Sequence, residues 1–200
     1  MQDRYLRSGA VLYVEGEPSE HVYFVRHGQI ALSRAVEARG ERTAVWAVRR
    51  KGSMFGLEAL VAPAYADSAR AVGDSVVCIA SRRAVEAWLH GERGAPLAVL
   101  GCLIEAQRGD GPRRCGADGS AGARVAAWLS TRGVEVDLPR VVIADLLGMQ
   151  PETLSRSLAQ LARRGALRVT RRSIEVLDRE LLKTIANGTA AADDEDANAR

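Results

Sequence analysis

Glu152 and Arg156 stand four residues apart in the run Pro151-Glu152-Thr153-Leu154-Ser155-Arg156. On an α-helix that spacing makes them surface neighbours, with Ser155 beside them. A carboxylate in such a place can accept from an exocyclic amine such as cytosine N4. A guanidinium can grip guanine O6 and N7 through two parallel hydrogen bonds. The same spacing also describes a plain surface salt bridge, worth less than about 1 kcal/mol. What surrounds the pair decides between these readings.

The surrounding elements favour base readout. Leu154, Leu158 and Leu161 recur at helical spacing and turn inward, which leaves Glu152, Ser155 and Arg156 facing out. Pro151 suits the first helical position, where its missing N–H costs nothing, and Gly165 ends the helix. Arg140 to Leu147 reads as a shorter helix, with Gly148-Met149-Gln150 as the turn between the two. Leu167-Arg168-Val169 and Ser173-Ile174-Glu175-Val176 form a hairpin around Thr170-Arg171-Arg172. Helix, glycine-containing turn, helix and basic hairpin define a winged helix-turn-helix. Arg140 at the start of the first helix, Thr153, and Arg171 and Arg172 at the wing tip are placed to meet phosphates. A solvent-facing side chain is the alternative for each arginine.

Charge points the same way. The 200-residue chain carries a net charge of only +3, yet residues 140–174 hold seven arginines against Asp145 and Glu152, a net +5. A basic segment in a near-neutral chain suits a polyanion such as double-stranded DNA, and a solvated helix face is the alternative. Lysine occurs only at positions 51 and 183. The preference for arginine fits phosphate binding but also a GC-rich genome. Asp193, Asp194, Glu195 and Asp196 give residues 183–200 the composition of a disordered acidic tail.

Other chemistries find little support. Cys78, Cys102 and Cys115 are odd in number and lack CxxC spacing, and His21, His27 and His90 show no ligand pattern. Cys78 falls in an apolar strand and reads as core, whereas Cys102 and Cys115 leave a redox role open. No nucleophile–base pair or phosphate-cradling loop appears, so the chain does not read as an enzyme, and no metal or cofactor is expected. The scattered histidines also lack the His-x-His of a cupin-type metalloenzyme. Without a signal peptide or an apolar run of roughly 20 residues, the expected setting is the cytoplasm, away from membranes, with reduced thiols.

Upstream, short strands alternate with turns. Val11–Val14, Val22–Val25, Ile30–Leu32, Thr43–Val48 and Val76–Ile79 are separated by glycine-containing turns, which argues a small all-β barrel, sandwich or roll. Arg82 to Leu89 can form a helix with Ser81 as N-cap, and Leu97, Leu100, Leu103 and Ile104 share one face of another. Gly109, Gly111, Gly116, Gly119, Gly122 and Pro112 should interrupt that helix near 109–122. The expected fold is α+β. It comprises an all-β domain over 1–94, a helical connector over 95–132, the winged helix-turn-helix over 133–182 and the tail.

From about Tyr5 to Leu182 the chain resembles the CRP/FNR superfamily of bacterial regulators. Gly9, Gly16, Gly28, Gly52 and Gly56 resemble its β-roll glycines, and Pro151 to Arg156 resembles its recognition-helix motif in the E-x-x-S-R form of the FNR branch. The resemblance implies a β-roll, that is a jelly-roll-like double-stranded β-helix. It further implies base readout by Glu152, Ser155 and Arg156, a phosphate contact by Arg140, homodimerisation through the connector, and RNA polymerase as a partner. It implies half-sites with a TGA core of the TTGAT type.

The departures are equally specific. Where cyclic-AMP-binding members carry a phosphate cassette, a gapless register through Gly56 and Ser68 puts Leu57 at the ribose-binding glutamate and Asp67 at the phosphate-binding arginine. Asp67 would repel a phosphate, so control by cyclic AMP is not expected. No cysteine precedes Cys78, so the N-terminal iron–sulfur ligands are missing. The competing function is a small-molecule receptor in which nucleotide, haem or redox sensing by the β-roll is primary.

Overall fold

A computed structural model describes residues 1–36, 42–109, 120–170 and 173–187. The chain forms two compact units, Met1–Asp110 and Gly111–Arg200.

In the first unit, successive strands divide between two antiparallel sheets. Strands β1 (Gln2–Leu6), β3 (His21–His27), β6 (Met54–Phe55) and β8 (Ser75–Ser81) form one, in the order β1-β8-β3-β6. Strands β2 (Val11–Tyr13), β4 (Gln29–Val36), β5 (Arg42–Arg50) and β7 (Ser68–Ala71) form the other, in the order β2-β7-β4-β5. This is the expected jelly-roll arrangement. The core takes Leu6, Tyr23, Val25 and Val77 from one sheet and Tyr13, Ile30, Leu32 and Ala69 from the other. Alternation along β3 and β4 sends these side chains inward.

All five glycines singled out in the sequence have left-handed backbone, with φ from 69 to 90°. At Gly28, between β3 and β4, the requirement is also steric. A Cβ there would lie 2.3 Å from Ser75 Oγ and 2.8 Å from Ser75 Cα.

After β8, the Ser81 hydroxyl accepts from Ala84 N and starts α1 (Arg82–Gly91), as its sequence indicates. Helix α2 (Ala95–Gly109) follows. Its Leu97, Leu100, Leu103 and Ile104 are all exposed, from 72% at Leu97 to 42% at Leu103. The expected interruption falls mainly on residues 110–119, outside the described residues. The next described helix is α3 (Ala121–Ser130), where Ser120 Oγ accepts from Ala123 N.

The second unit contains α3, β9 (Glu135–Val136), α4 (Arg140–Leu146), α5 (Pro151–Arg163), β10 (Leu167–Val169), β11 (Ile174–Val176) and α6 (Arg179–Ala186). Strand β9 adds to the expected hairpin, giving a three-stranded sheet ordered β10-β11-β9. Two boundaries differ from those read in the sequence. Helix α3 packs against α5 and α6, so the unit starts before residue 133. Helix α6 runs past 182, because Asp178 caps it at Leu181 N and Leu182 and Ile185 bury one face. Residues 183–186, assigned from composition to the acidic tail, are therefore helical. Among the described residues, no helix is long and apolar enough to cross a membrane.

Candidate nucleic-acid interface

Burial of three leucines sets the outer face of α5. Leu154, Leu158 and Leu161 are each at most 2% exposed, and each contributes roughly 1.5–3 kcal/mol relative to an exposed position. The opposite face presents Glu152, Ser155 and Arg156 to solvent. Glu152 and Arg156 form no ion pair, and no side-chain hydrogen bond engages any of the three among the described residues. The surface-salt-bridge reading therefore does not describe this helix. Thr153 is half-buried, and its carbonyl accepts from Ser157 Oγ at 2.9 Å.

The turn before α5 is built from backbone. Gly148 takes φ +58°, Gly148 N donates to Asp145 O at 2.9 Å, and Met149 N donates to Ala144 O at 3.0 Å. Pro151 opens α5 without needing a donor, and Gly165 leaves it at φ +78°. Arg140, exposed at the start of α4, donates from Nη2 to the wing carbonyl of Thr170 at 3.3 Å. Thr170 and Ser173 close the wing turn, with Ser173 N donating to Thr170 Oγ1 at 2.9 Å. Arg171 and Arg172 lie outside the described residues.

Sequence reasoning missed two arginine contacts. Arg168 pairs with Glu175 across the wing at 2.8 Å. Glu175 lies one residue beyond the basic stretch, so that stretch overstates the charge free to meet a polyanion. Arg124 on α3 donates to the carbonyl of Leu147, the C-cap of α4. Backbone carbonyls leave no mark in a residue pattern, so this contact had no signal.

In the first unit, the cassette positions serve the protein itself. Gly56 starts a 3-10 helix at Leu57–Leu60, and a Cβ on it would lie 2.9 Å from the Tyr23 ring. Leu57 packs against the cluster of Val22, Ala59, Ala80 and Val85. The Ser68 hydroxyl accepts from Glu15 N at 2.9 Å. Asp67 is buried and accepts from Tyr13 Oη at 3.1 Å and from Trp46 Nε1 at 3.2 Å. Burial and, secondarily, the charge of Glu58 push the Asp67 carboxyl up to about 6, against the pull of its two donors and Arg34. Burial also raises the Tyr13 phenol well above its ordinary range. The guanidinium groups of Arg34 and Arg49 lie 4.5 and 5.5 Å from the Trp46 ring centre.

Cys78 is buried and Cys102 partly so, while Cys115 lies outside the described residues. Among the described residues, no group of three His, Cys, Asp or Glu side chains could hold a metal ion.

A jelly-roll domain followed by a winged helix-turn-helix, whose second helix presents a polar outer face unpaired among the described residues, defines the class of a DNA-binding regulator with an attached β-roll. Residues 123–185 match the Crp-like helix-turn-helix domain, and residues 3–91 match the cyclic nucleotide-binding domain. The chain belongs to the CRP/FNR superfamily of transcription regulators. Among solved structures, FixK2 from Bradyrhizobium japonicum is 26% identical at a TM-score of 0.76, over 92% of this chain and 96% of that one. Two proteins from Thermus thermophilus share the fold. TTHB099, a transcriptional regulator of the CRP family, is 23% identical at a TM-score of 0.75, over 92% of this chain and 96% of that one. TTHA1359, a transcriptional regulator of the CRP/FNR family, is 23% identical at a TM-score of 0.72, over 93% and 98%. No curated protein sequence matches the chain.

Proposed function

We propose that this chain acts in the cytoplasm as a homodimeric, cyclic-AMP-independent transcription regulator that reads an inverted repeat with TTGAT-like, TGA-core half-sites. The reading rests on one observation. Glu152, Ser155 and Arg156 form an exposed face on α5 that engages no other side chain among the described residues. In that state a carboxylate and a guanidinium are available for a G·C pair without first breaking a protein contact. Arg140 and Thr153, with Arg171 and Arg172 of the wing, supply backbone contacts that fix register. The exposed leucines of α2 supply an apolar surface for a second copy. A dimer is needed because one recognition helix spans too few base pairs for useful specificity. Asp67 and Leu57 carry the cyclic-AMP independence, since neither offers what a cyclic phosphate or its ribose requires. RNA polymerase is the partner through which a bound dimer would act.

Selection of duplexes from a random pool tests this reading. Enrichment of two TGA-core half-sites in inverted orientation, with centres about one helical turn apart, is expected. A single half-site, or no enrichment, contradicts it.

A further inference from the structure

The turn that aims α5 carries a problem of its own. A helix leaves its last carbonyls without intrahelical donors. In α4, Ala144 O and Asp145 O are satisfied by the turn N–H groups of Met149 and Gly148. Leu147 is fully buried and is followed at once by left-handed Gly148, and among the described residues no backbone N–H donates to its carbonyl. The donor comes instead from another element. Arg124 Nη2 of α3 reaches the Leu147 carbonyl across 23 residues of sequence. The same nitrogen would lie 3.7 Å from a Cβ at position 148, so the guanidinium rests against the turn itself. Helix α3 in turn packs on α5. One side chain thus joins the helix beneath the motif to the three-residue bend between its two helices.

We propose that Arg124 is a positioning residue for DNA reading, acting through the Leu147 carbonyl to fix the direction in which α5 leaves the turn. It touches no base or phosphate in this scheme. The inference rests on the DNA-binding reading above. Its consequence is that losing Arg124 lowers discrimination between sequences and leaves the electrostatic part of binding in place.

The test uses the full-length protein and two duplexes, the one selected by wild type from the random pool and a scrambled one of equal length. Arg124→Met keeps most of the side-chain length and removes the donors. Arg124→Lys keeps a donor on a shorter reach. For Arg124→Met, loss of a charged hydrogen bond predicts about tenfold weaker binding to the selected duplex. Affinity for the scrambled duplex and the salt dependence should stay as in wild type. Arg124→Lys should recover part of the loss, and it carries the test alone if the Met variant does not fold, its selected-to-scrambled ratio then falling between wild type and unity. Wild-type discrimination in every folded variant overturns the proposal. So does an equal loss on both duplexes with a shallower salt slope, which would make Arg124 a phosphate contact. If wild type itself prefers no duplex, the DNA-binding reading fails first and this inference falls with it.

Discussion

The Tyr13 phenol donates to Asp67 Oδ1 at 3.1 Å, binding a strand of the β-roll core to a buried carboxylate 54 residues away. Trp46 Nε1 donates to the other oxygen at 3.2 Å. A carboxylate between two donors would ordinarily titrate low. Burial and Glu58 outweigh them, and Asp67 titrates at about 6.

That balance fixes a pH dependence. An unfolded aspartate releases its proton near pH ~4, whereas the folded protein keeps it to about 6. Between those values the native state holds more protons than the unfolded state, so stability from this group falls as pH rises. It is fully present below about pH 4 and lost once pH passes about 6. Thermal melting of wild type and Asp67→Asn across that window should therefore show the Tm of wild type falling relative to that of the variant as pH rises. Parallel curves would show that Asp67 titrates alike in both states.

Gly28 should be the least replaceable of the turn glycines. Alanine there meets both left-handed strain and Ser75 Oγ at 2.3 Å from the new Cβ. The expected cost is roughly 2–5 kcal/mol in urea unfolding. Gly52→Ala, at φ +90° with nothing within 4 Å of a new Cβ, should cost only about 1 kcal/mol. Equal losses at the two positions would mean that the Ser75 contact relaxes freely.

These contrasts show what the residue pattern could and could not convey. Leucines at 154, 158 and 161, bracketed by Pro151 and Gly165, announce a helix and its outward face, because both signals are local. Strands β6 and β9 have two residues each, too few for any alternation to register. Helix α6 buries only Leu182 and Ile185 and adjoins an acidic, alanine-rich segment, so composition concealed it. Asp67 was legible as an unsuitable phosphate ligand. Its donors Tyr13 and Trp46 were not, because strand pairing brings them together from distant positions. The Arg168–Glu175 pair required the hairpin register, in which the two residues face each other.

Cyclic AMP should not bind. Asp67 is occupied by Tyr13 and Trp46, and Leu57 has no polar atom with which to hold a ribose hydroxyl. Calorimetry at millimolar nucleotide should show no saturable heat. A micromolar isotherm would show that the nucleotide is held by groups other than those at positions 57 and 67.

The central claim is that α5 reads bases while its surroundings grip the backbone, and paired substitutions test it most directly. Binding of Arg156→Ala and Arg140→Ala should be titrated against the selected duplex and its single-base variants at several salt concentrations. Arg156→Ala should lose roughly 1–3 kcal/mol on the selected duplex and relax preference at one base pair. Arg140→Ala should weaken every duplex alike, with a salt slope shallower by about one. If both variants lose affinity in the same sequence-independent way, α5 does not read bases and the account is wrong.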